Sequence, residues 1–516
     1  MAQQQNYPPH QPQNHAPQYR QTGQAPVPNG ATGLTPQQRR VRQQRRQEKL
    51  NRQRSHRRTL FGILLLLIVV VSFVIIKAVN GGLDDVGEVE LDALDLGSAD
   101  DEAEEALYDG PPVASIAFVG DISVSADQVA AATQLDGTYD FTLPMSDVAD
   151  YIEEAAYAVG NFETTMVDGL AYGGEPYYNA PVELAGSLRS LGFRLVSTAN
   201  TYALNNGIEG MISTKNYLTE ANLRSVGTYL NQEQRNLNGG AYIRNIHKIR
   251  FAFLSYTKGT DSVSMPEGCE YALNTLYSDY ADYWTELKSS QIRQDVQAAK
   301  DAGAEVIIAL VHWGSEYGRT LREPQKKAAE LLMSCGVDVI IGTHSHLVGE
   351  MGFQEAELSD GTKKKCFVAY GLGDFYTDPA EEAAQQSVIL NLEFSREDDG
   401  NIAITRANYV PIYMHISTEN GQRKFMVLDV YKNLANLKRT TMTADESELF
   451  NNLLDTVNTL HKYAGEELDA GPAESDQRII TRVMEEGEIS QQDIKALRKE
   501  EQAAQEGSAE DDGAAE

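Results

Sequence analysis

VIIALVHWGSE (Val306–Glu316) and VDVIIGTHSH (Val337–His346) decide how this chain is read. Each opens on a short β-branched apolar run and ends in a polar cluster carrying imidazole. Runs of that length bounded by polar turns read as buried strands. Open α/β sheets place their chemistry just outside strand ends. Three of the nine histidines, His312, His344 and His346, therefore stand where a site is expected.

Four more apolar runs end the same way. They lead into Gly120-Asp121, Gly160-Asn161-Phe162-Glu163, Ala199-Asn200-Thr201-Tyr202 and Gly371-Leu372-Gly373-Asp374-Phe375. Further strands are expected at Val113–Val119, Phe193–Ser197, Ile249–Tyr256, Cys366–Tyr370, Val388–Phe394 and Ala403–Val410. Helices are expected near Pro144 and over Pro181–Leu191, Ile292–Ala302 and Glu323–Cys335, the last three closed by Gly192, Gly303 and Gly336. Early strand–helix alternation followed by late strands predicts an α/β domain with mixed sheets over residues 113–440. A capping box, Thr443-x-x-Glu446, then opens an amphipathic helix within 441–464 that packs on the domain.

The flanks are strongly polarised. Residues 1–58 hold eleven Lys or Arg and one acid, Glu48. They carry about +10 of a chain whose formal charge is −31, which leaves about −41 on the rest. Residues 1–36 have the composition of a disordered tail. Thr59–Ile76 has no charged side chain, and the segment 59–79 is long enough to cross a hydrocarbon core. The arginine cluster before it puts the N-terminus in the cytoplasm and everything from about residue 80 outside, as a single-pass protein of the cell membrane. An acidic linker (80–112) and an acidic, mobile tail (465–516), with a helix over Gln491–Gln505, complete the expected organisation. Cys269, Cys335 and Cys366 form neither a disulfide framework nor a zinc pattern. The acidity of the outer region excludes nucleic acid as a ligand.

Carboxylate, amide and imidazole together suit a divalent ion such as Zn, Mn or Fe. Plainer uses exist for most of these residues. An Asp after a strand ordinarily caps or turns the chain. Asn161 and Glu163 cap a loop as readily as they face inward, and Trp313 fills a core as readily as it walls a site. The pair His344 and His346 is more specific. Alternate residues of an extended segment point the same way, so both imidazoles reach one ion.

The ordered series resembles the CapA family, the poly-γ-glutamate capsule-synthesis proteins related to calcineurin-like metallophosphatases. That family shows GD, NLE, ANNH, HWGxE, GxHPH and GNF motifs. This chain offers Gly120-Asp121, Asn161-Phe162-Glu163, Ala199-Asn200-Thr201-Tyr202, His312-Trp313-Gly314-Ser315-Glu316, Gly342-Thr343-His344-Ser345-His346 and Gly373-Asp374-Phe375, over roughly residues 113–415. The resemblance implies a metallophosphatase-like β-sandwich flanked by helices, here preceded by one transmembrane helix. It implies metal ligation by Asp121, Glu163, Asn200, His312, His344 and His346, and catalytic roles for His312, Glu316 (orienting His312) and Tyr202. The implied partners are the membrane, an anionic extracellular polymer or its precursor, and a capsule-synthesis membrane complex.

Departures fall at the centre of the pattern. Thr201 and Tyr202 stand where the family has Asn and His, Asp374 replaces Asn, and Ser345 replaces Pro. Threonine is a poor substitute for an amide ligand. Tyrosine, titrating at about 10, is a weak acid at neutral pH. Two functions are therefore compatible with the chain: a metal-dependent phosphoesterase-like hydrolase, or a non-catalytic assembly or export factor with a degenerate site. Arg319, Arg322, Lys326 and Lys327 supply either a basic groove for a polyanion or a solvated helix face.

Overall fold

The computed structural model describes Glu105 and residues 108–470, apart from 261, 262, 282 and 438–440. The basic tail, the apolar segment 59–79, most of the acidic linker and the expected helix Gln491–Gln505 lie outside the described residues. Among the described residues no helix is long and apolar enough to cross a membrane.

Among the described residues fifteen strands follow in chain order: β1 (Val113–Ile122), β2 (Tyr157–Phe162), β3 (Phe193–Ser197), β4 (Arg224–Val226), β5 (Tyr242–Ile246), β6 (Ile249–Thr257), β7 (Val306–His312), β8 (Val339–Thr343), β9 (Met351–Glu357), β10 (Lys363–Ala369), β11 (Asp374–Tyr376), β12 (Gln386–Arg396), β13 (Ile402–Glu419), β14 (Gln422–Asp429) and β15 (Asp469–Ala470). One sheet runs β14-β13-β12-β1-β2-β3-β4, with β11 paired to β1 and β15 to β13. The other runs β5-β6-β7-β8-β10-β9. Both are mixed. In the first, β1 to β4 are parallel and β12 to β14 antiparallel. In the second, β6, β7, β8 and β10 are parallel between antiparallel edges.

The two sheets stack because their central strands are apolar on both faces. Along β7, Val306, Ile308 and Leu310 enter the core between the sheets, where they meet Ile116 and Phe118 of β1. The alternate residues Ile307, Ala309 and Val311 face outward onto the helices Ser289–Asp301 and Glu323–Cys335. On the other sheet Ala117 and Val119 face outward onto the helices Ala126–Ala132 and Glu183–Ser190. The result is helix–sheet–sheet–helix. The period of two is what lets one strand serve two cores.

Several expected elements shift at their ends. The helix near Pro144 is a 3₁₀ turn, Leu143–Met145, followed by a short helix, Ala149–Glu153. The capping box at Thr443 opens the helix Ala444–Tyr463, which buries Phe450, Leu453, Val457 and Leu460. Each such side chain contributes on the order of 2 kcal/mol of burial. β1 runs three residues beyond its expected end, so Asp121 lies inside the strand rather than after it.

That extension depends on Gly120. A Cβ there would stand 1.7 Å from Gly373 O, and Asp121 N donates to the same carbonyl at 3.2 Å. Gly120→Ala must push the β1 and β11 approaches apart, with an overpacking cost of about 1–3 kcal/mol. A thermal-unfolding midpoint several degrees lower is expected. An unchanged midpoint would show that the two segments separate freely.

Candidate functional site

Strand register assembles the polar residues. Asp121 of β1 is paired with Asp374 of β11 on one side and Asn161 of β2 on the other. In the second sheet His312, the last residue of β7, is paired with Thr257 of β6 and Thr343 of β8. Each sheet thus ends in a polar row, and the rows meet. Asp121 Oδ1 accepts from Asn161 Nδ2 at 2.6 Å, and Asp121 Oδ2 accepts the backbone N–H of His344 at 3.2 Å.

Two groups of donors result. Glu163, His312 and His344 form one, and Asp121, His346 and Asp374 form the other. In the first, His312 Nε2 lies 3.1 Å from Glu163 Oε1, 3.0 Å from His344 Nδ1 and 3.0 Å from Thr201 Oγ1. His312 Nδ1 lies 3.1 Å from Thr343 Oγ1, which fixes the ring. In the second, His346 Nδ1 is 2.8 Å from Asp374 Oδ1 and 3.5 Å from Asp121 Oδ2. Thr377 Oγ1 donates to the other Asp374 oxygen at 2.7 Å.

The sequence reading placed His344 and His346 on one extended segment facing one ion. Both instead have positive φ, 88° and 56°. Left-handed backbone at two non-glycine residues is costly and concentrates at functional sites. It turns the imidazoles apart, with ring centroids 6.2 Å from each other, one in each group.

Burial makes the electrostatics severe. Asp121, Glu163, Asp374, His312 and His344 are all at most 3% exposed. Desolvation, then the nearby Glu163 charge, pushes the Asp121 carboxyl up to about 7. Burial takes His312 down to about 3 against the pull of Asp121. Burial and the neighbouring His312 and Lys258 hold His344 well below its ordinary range. His346 goes the other way. Burial opposes its charge, but Asp374, by charge and hydrogen bond, and then Asp121 and Glu163 hold it well above its ordinary range.

The remaining expected residues stand elsewhere. Asn200 uses both ends of its amide on backbone: Nδ2 donates to Phe162 O at 2.7 Å, and Oδ1 accepts from Tyr202 N at 3.2 Å. It braces the turn after β3. Glu316 is exposed, and the hydrogen-bond partners of His312 are Asn161, Thr201, Thr343 and His344. The ring of Tyr202 stacks on Tyr178 at 4.0 Å. Burial and then the Tyr178 oxygen raise its phenol far above 10. Trp313 is core, donating to Tyr370 O at 3.1 Å.

Three contributors escaped the sequence reading. Asp374 stood in a strand-end cluster and as a departure from the family pattern, but was not assigned as a ligand. Thr201 reaches both histidines, His344 Nδ1 being 3.4 Å away. Lys258 follows β6, buried, with Nζ 3.0 Å from Gly314 O and 4.1 Å over the Trp284 ring. The strand-end rule applied to Thr257-Lys258-Gly259-Thr260 would have found it.

With this geometry in view, residues 115–379 match the family described as "Bacterial capsule synthesis protein PGA_cap". The chain belongs to that family. Among PGA_cap relatives, the PGA biosynthesis protein CapA of Bacillus subtilis (strain 168) is 23% identical over 319 residues, 60% of this chain and 74% of that protein. The capsule biosynthesis protein CapA of Bacillus anthracis is 22% identical over 262 residues, 49% of this chain and 57% of that protein. Among solved structures, Haemophilus influenzae NAD nucleotidase (NadN) aligns over 72% of this chain and 67% of its own, with TM-score 0.36 and 14% identity.

The PGA_cap site has the donor chemistry for divalent cations. His344 Nε2 is buried with no hydrogen-bond partner among the described residues. Three buried carboxylates converge on imidazoles of which two are held neutral. A buried charge in such surroundings needs a counter-charge. In metal-free protein, nitrogen-detected NMR should find His346 still protonated at pH 7 and His312 still neutral at pH 5. A His312 that titrates near 6.5 would contradict this arrangement.

Proposed function

We propose that this protein is a membrane-anchored, outward-facing CapA-like component in the synthesis or export of capsule or another anionic polymer of the poly-γ-glutamate type. We further propose that its two donor groups hold divalent cations for phosphoester hydrolysis. The observation that carries the reading is the meeting of the two polar rows at Asp121, which joins the groups through Asn161 and the His344 amide. Mn, Zn and Fe are the cations this mixed donor set suits. The outward orientation rests on the charge asymmetry about segment 59–79.

Glu163, His312 and His344 would hold one ion, and Asp121, His346 and Asp374 a second. Ions bound there supply Lewis acidity and a water of lowered pKa. The chain's own residues set the rest. Thr343 orients His312, Asn161 holds Asp121, and Lys258 places a positive charge behind the imidazoles. Equilibrium dialysis of the purified full chain with Mn, Zn or Fe, read by mass spectrometry, should find up to two ions per chain. His344→Ala and Asp374→Ala should each remove at least one. Affinity should tighten between pH 6 and 8, because Asp121 and His346 must surrender protons that they hold to unusually high pH. A chain that binds no ion would sink the proposal.

A second reading, a non-catalytic assembly or export factor, is favoured by Tyr202. A phenol held that far above 10 does not release a proton to a leaving group at neutral pH. Thr201→Asn with Tyr202→His restores the family pair. If acid assistance is what the chain lacks, bis-p-nitrophenyl phosphate turnover should rise by roughly 100-fold or more. Brisk wild-type turnover with no gain would dismiss the second reading. No turnover by either cation-loaded protein would dismiss the hydrolase.

A further inference from the structure

The six donors are not equally confined. Asp121, Glu163, Asp374, His312 and His344 are at most 3% exposed, whereas the side chain of His346 is 15% exposed. The polar anchors of this ring lie on one edge. Asp374 Oδ1 at 2.8 Å and Asp121 Oδ2 at 3.5 Å both face Nδ1. The second side-chain torsion of a histidine is broad and roughly two-fold. Anchors at a single nitrogen therefore leave the plane of the imidazole free to turn, and packing has to fix it.

Tyr317 supplies that packing. Its ring centroid is 5.3 Å from that of His346, with the two planes tilted by 31°. At 38% exposed it is too open to be explained as core. Glu316 beside it faces solvent, so within this segment the residue that meets the imidazole is the next one along.

The backbone of Tyr317 acts on the same turn. The segment after β7 runs alongside the segment after β8: Trp313 N–H donates to Thr343 O at 3.2 Å, and Tyr317 N–H donates to Ser345 O at 2.9 Å. Ser345 stands between the two imidazoles whose backbones are left-handed, and Tyr317 is itself left-handed at φ 52°. Such conformations persist where neighbouring structure over-determines them. The bond to Ser345 O fixes the peptide from which His346 springs. It belongs to the main chain, so truncating the Tyr317 side chain leaves it in place and isolates the contribution of the ring.

We propose that Tyr317 is the positioning residue of the second cation site, its ring packed against the His346 imidazole so that Nδ1 stays aimed between Asp374 and Asp121. The proposal rests on the reading of the two donor groups as sites for divalent cations. It adds that the two sites are held differently. The first is confined by burial and by the hydroxyls of Thr201 and Thr343. The second depends on one half-open aromatic side chain, and a change there reaches one ion without the other.

Equilibrium dialysis of the purified full chain against Mn, read by mass spectrometry, tests this. Tyr317→Ala should weaken one of two ions by about 10- to 100-fold and spare the other. Tyr317→Phe, which keeps the ring, should bind as the wild type does. Tyr317→Leu, which keeps bulk without a flat face, should be intermediate and guards against a folding artefact, as does the thermal midpoint of each variant. Single-site backgrounds show which ion is affected. With His344→Ala, where only the second group is complete, adding Tyr317→Ala should weaken the remaining ion by the same factor. With Asp374→Ala, where only the first group is complete, it should change nothing. Equal weakening of both ions, or a loss in the Asp374→Ala background, marks a general structural effect and overturns the proposal. Tyr317→Phe binding as poorly as Tyr317→Ala also overturns it, because the hydroxyl and not the ring would then matter. Unchanged binding in folded Tyr317→Ala, or a wild type whose single ion survives Asp374→Ala, overturns the positioning role and leaves the cation reading standing. A wild type that binds no ion overturns both.

Discussion

Asp121 is the residue on which the arrangement depends. It is a fully buried carboxylate at the meeting line of two sheets, held by a side-chain amide from its own sheet and a backbone amide from the other. Burying a carboxylate is expensive unless hydrogen bonds and positive charge compensate. Here the hydrogen bonds are present but the positive charge is short, so the carboxyl itself is pushed up to about 7. The surroundings offer carboxylate and imidazole donors consistent with a cation site.

Several local oddities follow from that need. Gly120 and Gly373 bring two backbones within reach so that Asp121 and Asp374 lie side by side. His344 and His346 accept left-handed backbone, which splits them between the donor groups instead of stacking them on one. Natural chains tolerate such strain where surrounding structure over-determines it. The stacked sheets, apolar on both faces, supply that rigidity.

The departures at 201 and 202 acquire a physical meaning from the same geometry. Thr201 is short, yet its hydroxyl lies within hydrogen-bond reach of both His312 and His344. Tyr202 is turned onto Tyr178, and the stack desolvates its phenol further. The site therefore clusters carboxylate and imidazole donors beside a phenol that keeps its proton at neutral pH.

Much of this was legible without coordinates. Apolar runs such as Val306–Leu310 alternate between two cores because strand side chains alternate by period two, and local pattern is enough to announce that. The glycines at 192, 303 and 336 closed their helices through positive φ, also a local effect. Strand ends rich in imidazole and carboxylate pointed to the site for the same reason. What the linear pattern could not carry was register and turn geometry. Nothing local distinguishes His344 and His346 on an extended segment from the same pair in left-handed turns. Nothing local says that Asp374 lies beside Asp121, that Asn200 spends its amide on backbone, or that Glu316 faces solvent. Side-chain alternation and capping are set by neighbours within a few residues, so the sequence determines them alone. The meeting of two sheet ends is set by packing across hundreds of residues, so only the tertiary structure decided which side chains share a pocket.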